Sequence, residues 1–203
     1  TNQSTTTTTH VNECIEIIMA TRGPANELNY GELVDAMSRI ATQSKDWLVS
    51  LKCLQIFHRL IQDGSPQFAD TVLRHHVNKV LNMSSWKDRS TAIAMEQSPF
   101  VRQYARFVEE RNVLYRNIRL KHLSTTTIIP MSGPVLGRED ELFKIIASLQ
   151  RVCDELIECH LLLEETRSRL QNGATVGAFH LLVDDGLILF KLLSDANLRL
   201  LGM

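Results

Sequence analysis

The sequence predicts an all-α fold of about seven helices, packed antiparallel in succession as a right-handed superhelical solenoid or bundle. Three observations predict it. Apolar residues recur at i, i+3, i+4 and i+7 through most of the 203 residues. Short runs of Gly, Pro, Ser and Asn separate these stripes, ending one helix and starting the next. Nowhere does strict apolar–polar alternation flank a hairpin turn, so no strand is predicted. No fixed-period repeat is visible, which argues against a regular repeat array.

Residues 1–9, TNQSTTTTT, are polar, uncharged and too simple to bury a face, and read as a tether ahead of one helical domain over 10–203. Thr9 offers its hydroxyl to a helix from about His10 to Thr21, with Val11, Cys14, Ile15, Ile18 and Met19 on one face. Gly23-Pro24 ends it. Asn29 reads as the cap of a helix over 30–42, striped by Leu33, Val34, Met37, Ile40 and Ala41. Ser44 then caps a helix from Lys45 to Asp63. Its apolar residues cover most of the circumference, as expected of a central helix touching several neighbours.

Gly64 stops that helix, and Ser65-Pro66 starts another that runs to about Leu81. Residues 82–96 read as a loop anchored by Trp86. Ser98-Pro99 repeats the Ser-Pro start and opens a helix to about His122. Residues 123–137, with two prolines and two glycines, are the clearest break. The acidic opening at 138–140 suits a helix N-terminus, where carboxylates meet the positive dipole end. That helix continues past Leu163, Asn172-Gly173 makes a turn, and Val176 to Leu201 forms the last long helix.

Composition excludes several classes. No apolar run reaches the roughly 18 residues that span a bilayer, and the N-terminus lacks the succession of a signal peptide. Membrane association would be peripheral. A net charge of -1 gives no global attraction to nucleic acid or anionic lipid. The charge is uneven, however: residues 65–123 hold 10 Lys/Arg against 5 Asp/Glu, and 124–203 hold 7 against 11. Cys14, Cys53, Cys153 and Cys159 show no Cys-x-x-Cys spacing and sit in apolar helical contexts, as in a reducing cytosol. Asn2 and Asn82 open Asn-x-Ser triplets that have no meaning without a secretory route.

Candidate chemistry is sparse. His75-His76 diverge by about 100° on a helix, and no His-Glu-x-x-His motif exists, so no metal or cofactor site is predicted. His58, His160 and His180 read as partly buried structural histidines. Glu109-Glu110, Glu164-Glu165 and Asp184-Asp185 are adjacent acids that diverge, whereas catalytic carboxylates must converge across a cleft. Asp185, inside an apolar helix, reads as a buried cap or the partner of a cation. No phosphate loop or nucleophile elbow is present, so no enzyme is predicted. One pattern points to an anionic surface: Lys45, Lys52 and Arg59 recur every seven residues and should share one helix face, with Gln55 and Gln62 beside them. Each cation would contribute about 1 kcal/mol near an anionic leaflet. Arg102 and Arg106 form a similar i, i+4 pair, which either faces an anionic surface in the same way or bridges to Glu109 and Glu110.

The order of elements resembles the ANTH domain of endocytic clathrin adaptors. HVNECIEII resembles the helix that begins with the family's histidine, and DWLVSLKCLQIFHRLIQDG its long helix with a Trp start, central Lys and terminal Gly. VLNMSSWKD resembles a loop typical of plant-like members. SPFVRQYARFVEERNVLYR resembles the motif Ser-x-Phe-Val/Ile-Arg-x-Tyr-x-x-Tyr/Phe-Leu-x-Glu-Arg/Lys, and ELFKIIASLQRVCDELIEC a later helix. The likeness covers about 10–201.

The resemblance implies a non-catalytic cytoplasmic adaptor, peripheral at the plasma membrane or clathrin-coated pits and vesicles. It would bind phosphatidylinositol bisphosphate and assist clathrin recruitment. It also implies clathrin and adaptor proteins as partners through a tail, and vesicle SNARE helices on the family's last helices. Both the tail and those helices are absent from this sequence, which reads as an excised domain. In the family, lysines around a proline lead into the histidine and grip the headgroup. Here five threonines stand there, and only His10 matches. The expected lipid site is therefore His10 with Lys45, Lys52 and Arg59. The alternative is a helical protein-interaction scaffold, ENTH- or VHS-like, with a degenerate or absent lipid site.

Overall fold

The structure, a computed structural model, describes residues 30–63, 66–75, 81–118, 138–165 and 167–201. Helix α1 (Tyr30–Gln43) buries Tyr30, Val34, Met37 and Ala41, one stripe at helical spacing. Helix α2 (Trp47–Asp63) buries nine of its 17 residues on several sides. It packs against α1, α3 (Pro66–His75), α4 (Ala92–Ile118) and α6 (Gly173–Leu201), and so occupies the central position that its wide apolar face predicts. Among the described residues every regular element is helical. The expected helix over 10–21 and the break at 123–137 lie outside them.

Chain direction follows from paired contacts. Cys53 Sγ reaches the Met37 carbonyl at 3.2 Å, which with the short connection makes α1 and α2 antiparallel. Gln97 meets Arg169 while Gln103 meets Glu155, so α5 (Arg138–Glu165) runs antiparallel to α4. Leu156 faces Gly186, and α6 packs along α5 in turn. Successive helices thus stack on their predecessors, as a solenoid requires. Phe57, Phe68, Phe100, Tyr104 and Phe107 fill the middle of the core, each fully buried. Burying each such ring contributes about 1.5–3 kcal/mol. Phe68 of α3 sits edge-on to Tyr30 and to Phe57 at centroid distances of 6.1 and 6.0 Å, joining α1, α2 and α3.

Several boundaries differ from the sequence expectation, each for a local reason. Helix α2 starts at Trp47, because Asp46 rather than Ser44 is the cap: its Oδ1 accepts the Leu48 amide at 2.8 Å. Ser44 closes the preceding bend, its Oγ accepting the Asp46 amide at 3.1 Å. Helix α3 is described to His75, and Leu81 stands in a turn rather than at a helix end.

Helix α4 begins at Ala92, so residues 92–96 belong to it and not to the loop. Thr91 caps it, with its Oγ1 accepting the Ala94 amide at 3.0 Å. Pro99 therefore lies inside the helix. The missing proline amide costs the helical bond to the Met95 carbonyl, while the neighbouring Ser98 Oγ donates to the Ala94 carbonyl at 2.8 Å and accepts the Asp88 amide at 3.0 Å. Helix α6 starts at Gly173, three residues early, with Asn172 as its cap through a 2.9 Å bond from the Ala174 amide. A short 3₁₀ turn, Arg167–Gln171, precedes it in the stretch between α5 and Asn172.

The 81–91 loop is held by polar bonds rather than by Trp86 packing alone. Trp86 Nε1 donates to the Ser44 carbonyl at 2.7 Å. The Asp88 carboxylate accepts the Trp47 amide at 2.9 Å and the Ser90 amide at 2.8 Å. The Leu81 amide donates to Glu109 Oε1 at 3.0 Å, so Glu109 is a loop anchor and not the purely solvated acid expected.

Candidate functional site

Two polar features have the chemistry for a role: cations on and beside α2, and a buried cluster beneath them. Lys52 and Arg59 sit two turns apart on α2 and share a face, Lys52 half-buried and Arg59 exposed. Arg59 lies 3.9 Å from Asp63, a surface pair worth little. Lys45 is exposed but precedes the Asp46 cap. The seven-residue rule holds along a helix, so it aligns Lys52 with Arg59 and does not extend to Lys45. His10 lies outside the described residues. Gln55, between Lys52 and Arg59 on the same side of α2, donates to the Ala174 carbonyl at the start of α6.

Beneath this face, His58 of α2 is fully buried. Its Nε2 is 2.8 Å from Asp185 Oδ2 on α6, and its Nδ1 is 2.8 Å from Tyr104 Oη on α4. Arg111 of α4 is buried too and grips the same carboxylate with Nε and, at 3.0 Å, with Nη2. Desolvation pushes the His58 pKa down and outweighs the pull of Asp185, leaving the imidazole neutral at pH 7. Burial by itself would raise Asp185, but the Arg111 and His58 partners hold it well below the usual carboxylate range. Burial drives Tyr104 well above an ordinary phenol.

A neutral His hydrogen-bonded to an ionised Asp is half of a nucleophilic triad, but the chemistry stops there. The remaining ring nitrogen takes the Tyr104 hydroxyl, and all four groups are sealed from solvent. The cluster therefore braces α2, α4 and α6 together. Of the two roles the sequence allows Asp185, a buried cap or a cation's partner, the structure shows the second, with Arg111 as the cation. Arg111 falls on the core stripe of α4 with Tyr104, Phe107, Val108 and Leu114, and a charged residue at a core position is the signal that identifies it.

Other expectations need correction. Arg102 Nη1 donates to the Trp86 carbonyl at 3.1 Å, and Arg106 pairs with Glu155 of α5 at 3.1 Å, so neither bridges to Glu109 or Glu110. Of the three histidines expected as partly buried, only His58 is inside. His160 is on the surface 3.2 Å from Glu164, and His180 is exposed. His76 lies outside the described residues. Burial raises the Cys53 thiol to about 11 and also raises Cys153 and Cys159, so these thiols behave as small hydrophobes. Among the described residues no group of three or more His, Cys, Asp or Glu converges for a metal, and no helix is long and apolar enough to cross a membrane.

The described residues form an all-α stack with Lys52 and Arg59 on one side of its central helix. The chain belongs to the ANTH domain family, whose pattern it matches across residues 3–203. It is similar to the human phosphatidylinositol-binding clathrin assembly protein, 27% identical over 178 residues, covering 87% of this chain and 26% of that protein. The rat protein of the same name is 27% identical over 178 residues, covering 87% of this chain and 27% of its own length. A protein of Arabidopsis thaliana provisionally named a clathrin assembly protein is 32% identical over 136 residues, covering 62% of this chain and 24% of its own length. The chain spans about a quarter of the length of these relatives.

Proposed function

We propose that this chain is the lipid-binding part of a peripheral clathrin adaptor. In this reading it works in the cytoplasm at the plasma membrane or at clathrin-coated pits and vesicles, and it binds phosphatidylinositol bisphosphate without catalysis. The observation that carries the reading is the alignment, over 87% of this chain, with a protein named for phosphatidylinositol binding and clathrin assembly. The geometry supports it through Lys52 and Arg59, two cations on one exposed side of the central helix, with Lys45 just ahead of the cap. His10, next to the start of its predicted helix, adds a fourth donor to the proposed site. Clathrin and adaptor proteins are the partners proposed for the whole protein, with SNARE helices as further candidates.

The headgroup supplies phosphates, and each Lys or Arg near an anionic leaflet contributes about 1 kcal/mol. Reversing one charge should therefore weaken binding by roughly tenfold. The test is cosedimentation with phosphatidylcholine vesicles, with and without phosphatidylinositol bisphosphate. Binding that needs the bisphosphate and falls in Lys52→Glu and His10→Glu supports the reading. One feature favours a second reading: five threonines precede His10 where the family's lysines would stand. Under that reading the chain is a helical protein-interaction scaffold, and sedimentation would be indifferent to the bisphosphate.

A further inference from the structure

The end of the stack where α2 and α4 begin brings together two segments that are far apart in sequence. Trp86 Nε1 donates to the Ser44 carbonyl at 2.7 Å, and the Trp47 amide donates to the Asp88 carboxylate at 2.9 Å. Lys45 lies between the tethered residues of one segment and Lys87 between those of the other, so both cations stand at one seam. Trp86 and Asp88 are buried, which turns the alternate residues Lys87 and Arg89 outward, and both are exposed.

The carboxylates at this seam are mostly engaged. Asp88 accepts the Trp47 and Ser90 amides, and Asp46 Oδ1 accepts the Leu48 amide as the cap of α2. Over residues 44–49 and 84–95 the exposed charges are therefore Lys45, Lys87 and Arg89 against Asp46. Arg102 stands behind the loop, half-buried and donating to the Trp86 carbonyl. Glu164 and Glu165 close α5 beyond Arg169, which bonds the Glu96 and Leu162 carbonyls, and they confine the basic area to the α2–α4 side.

Beside the cations, the first turn of α4 is uncharged and stands proud of the surface. Residues 90–95, Ser-Thr-Ala-Ile-Ala-Met, bury only Ala94, and Ile93 and Met95 are 61% and 55% exposed. At about 100° per residue the two flank Ala94 on opposite sides of a single turn. A partner helix needs one apolar stripe over several turns, which these diverging side chains do not offer. A bilayer surface takes protruding apolar side chains at the boundary between headgroups and acyl chains, and supplies anionic headgroups to the cations around them.

From this juxtaposition we infer that the 81–91 loop and the first turn of α4 form a membrane-inserting contact. Ile93 and Met95 enter the interfacial layer of an anionic leaflet, while Lys45, Lys87 and Arg89 meet its headgroup phosphates. The inference rests on the membrane role proposed above. To that role it adds an apolar anchor, which the cations of α2 do not supply.

The test uses the 203-residue chain with vesicles of phosphatidylcholine alone, with added phosphatidylserine, and with added phosphatidylserine and phosphatidylinositol bisphosphate. Binding should need anionic lipid. Combining Ile93→Ser with Met95→Ser should weaken it by about tenfold, and combining Lys87→Glu with Arg89→Glu by at least about tenfold. Tm should stay within about 2 °C in both double variants. Ile93→Trp reads insertion directly: its fluorescence should be quenched by acyl-brominated phosphatidylcholine, whereas the buried Trp47 and Trp86 should respond little.

No vesicle binding by the unaltered chain would overturn the inference together with the membrane role. Binding that either double variant leaves unchanged, or a bound Ile93→Trp chain that is not quenched, would overturn the inference alone. So would self-association that depends on Ile93, or capture of an acidic peptide through Lys87 and Arg89 with vesicle binding unaltered. A fall in Tm of more than about 5 °C with Ile93→Ser and Met95→Ser would also overturn it, since the chain's own residues would then pack those side chains.

Discussion

Asp185 is the residue on which the polar interior turns, because it is the single anion that answers both Arg111 and His58. Removing it leaves a guanidinium buried without a counter-charge. Asp185→Asn should cost about 3–5 kcal/mol in urea unfolding, while replacing Asp185 and Arg111 together by Leu and Met should cost clearly less than the two single changes summed. His58 adds a pH dependence whose sign is fixed. Its folded pKa is lowered, so below about 6.5 the unfolded chain binds the extra proton and stability falls as pH falls. Unfolding measured from pH 7 to 5 should show this decline, at up to about 1.4 kcal/mol per pH unit, and His58→Gln should flatten it. Asp185 adds to the loss only once pH falls to about 4, where the carboxyl of the unfolded chain begins to take a proton that the folded one refuses. Much of this was legible at single residues: His58 as a structural histidine, Asp185 as a cation's partner. Arg111 carries its signal only in its position, a cation on the buried stripe of α4.

At the scale of elements, helix existence was plain in the sequence and helix starts were not. The stripe of α1 was legible at Val34, Met37 and Ala41, which burial fixes, but not at Ile40, which the structure leaves 49% exposed. Starts depend on which of several polar side chains takes a free amide, and Ser44, Asp46 and Asp88 all compete near Trp47. Ser98-Pro99 misled because proline at the first helical position is only the commonest placement, and Thr91 had already capped the helix earlier in the chain. The caps have measurable weight. Asp46→Ala should lower stability by about 1 kcal/mol. Asp88→Ala should cost about 2–3 kcal/mol, because it strands the Trp47 amide and frees the 81–91 loop from α2. Denaturant midpoints of the two variants should therefore rank Asp88→Ala below Asp46→Ala.

For the whole molecule, an all-α stack carries Lys52 and Arg59 on its central helix and exposed apolar side chains such as Leu187 and Phe190 on its last described helix. The fold class and family were legible because an ordered set of helices carries more information than any one motif. The candidate lipid site was only half legible. Periodicity aligned Lys52 with Arg59, but the Asp46 cap put Lys45 outside the helix, and one sequence cannot show how far a preceding residue swings from a helix axis. If the cationic edge acts by charge, its affinity for bisphosphorylated lipid should fall steeply between low and physiological salt. The most direct measurement is a titration of the ¹⁵N-labelled chain with inositol 1,4,5-trisphosphate, followed residue by residue in NMR spectra. The account predicts saturable shifts at Lys45, Lys52, Arg59 and His10, lost in Lys52→Glu. Shifts confined to other surfaces, or none at millimolar ligand, would contradict it.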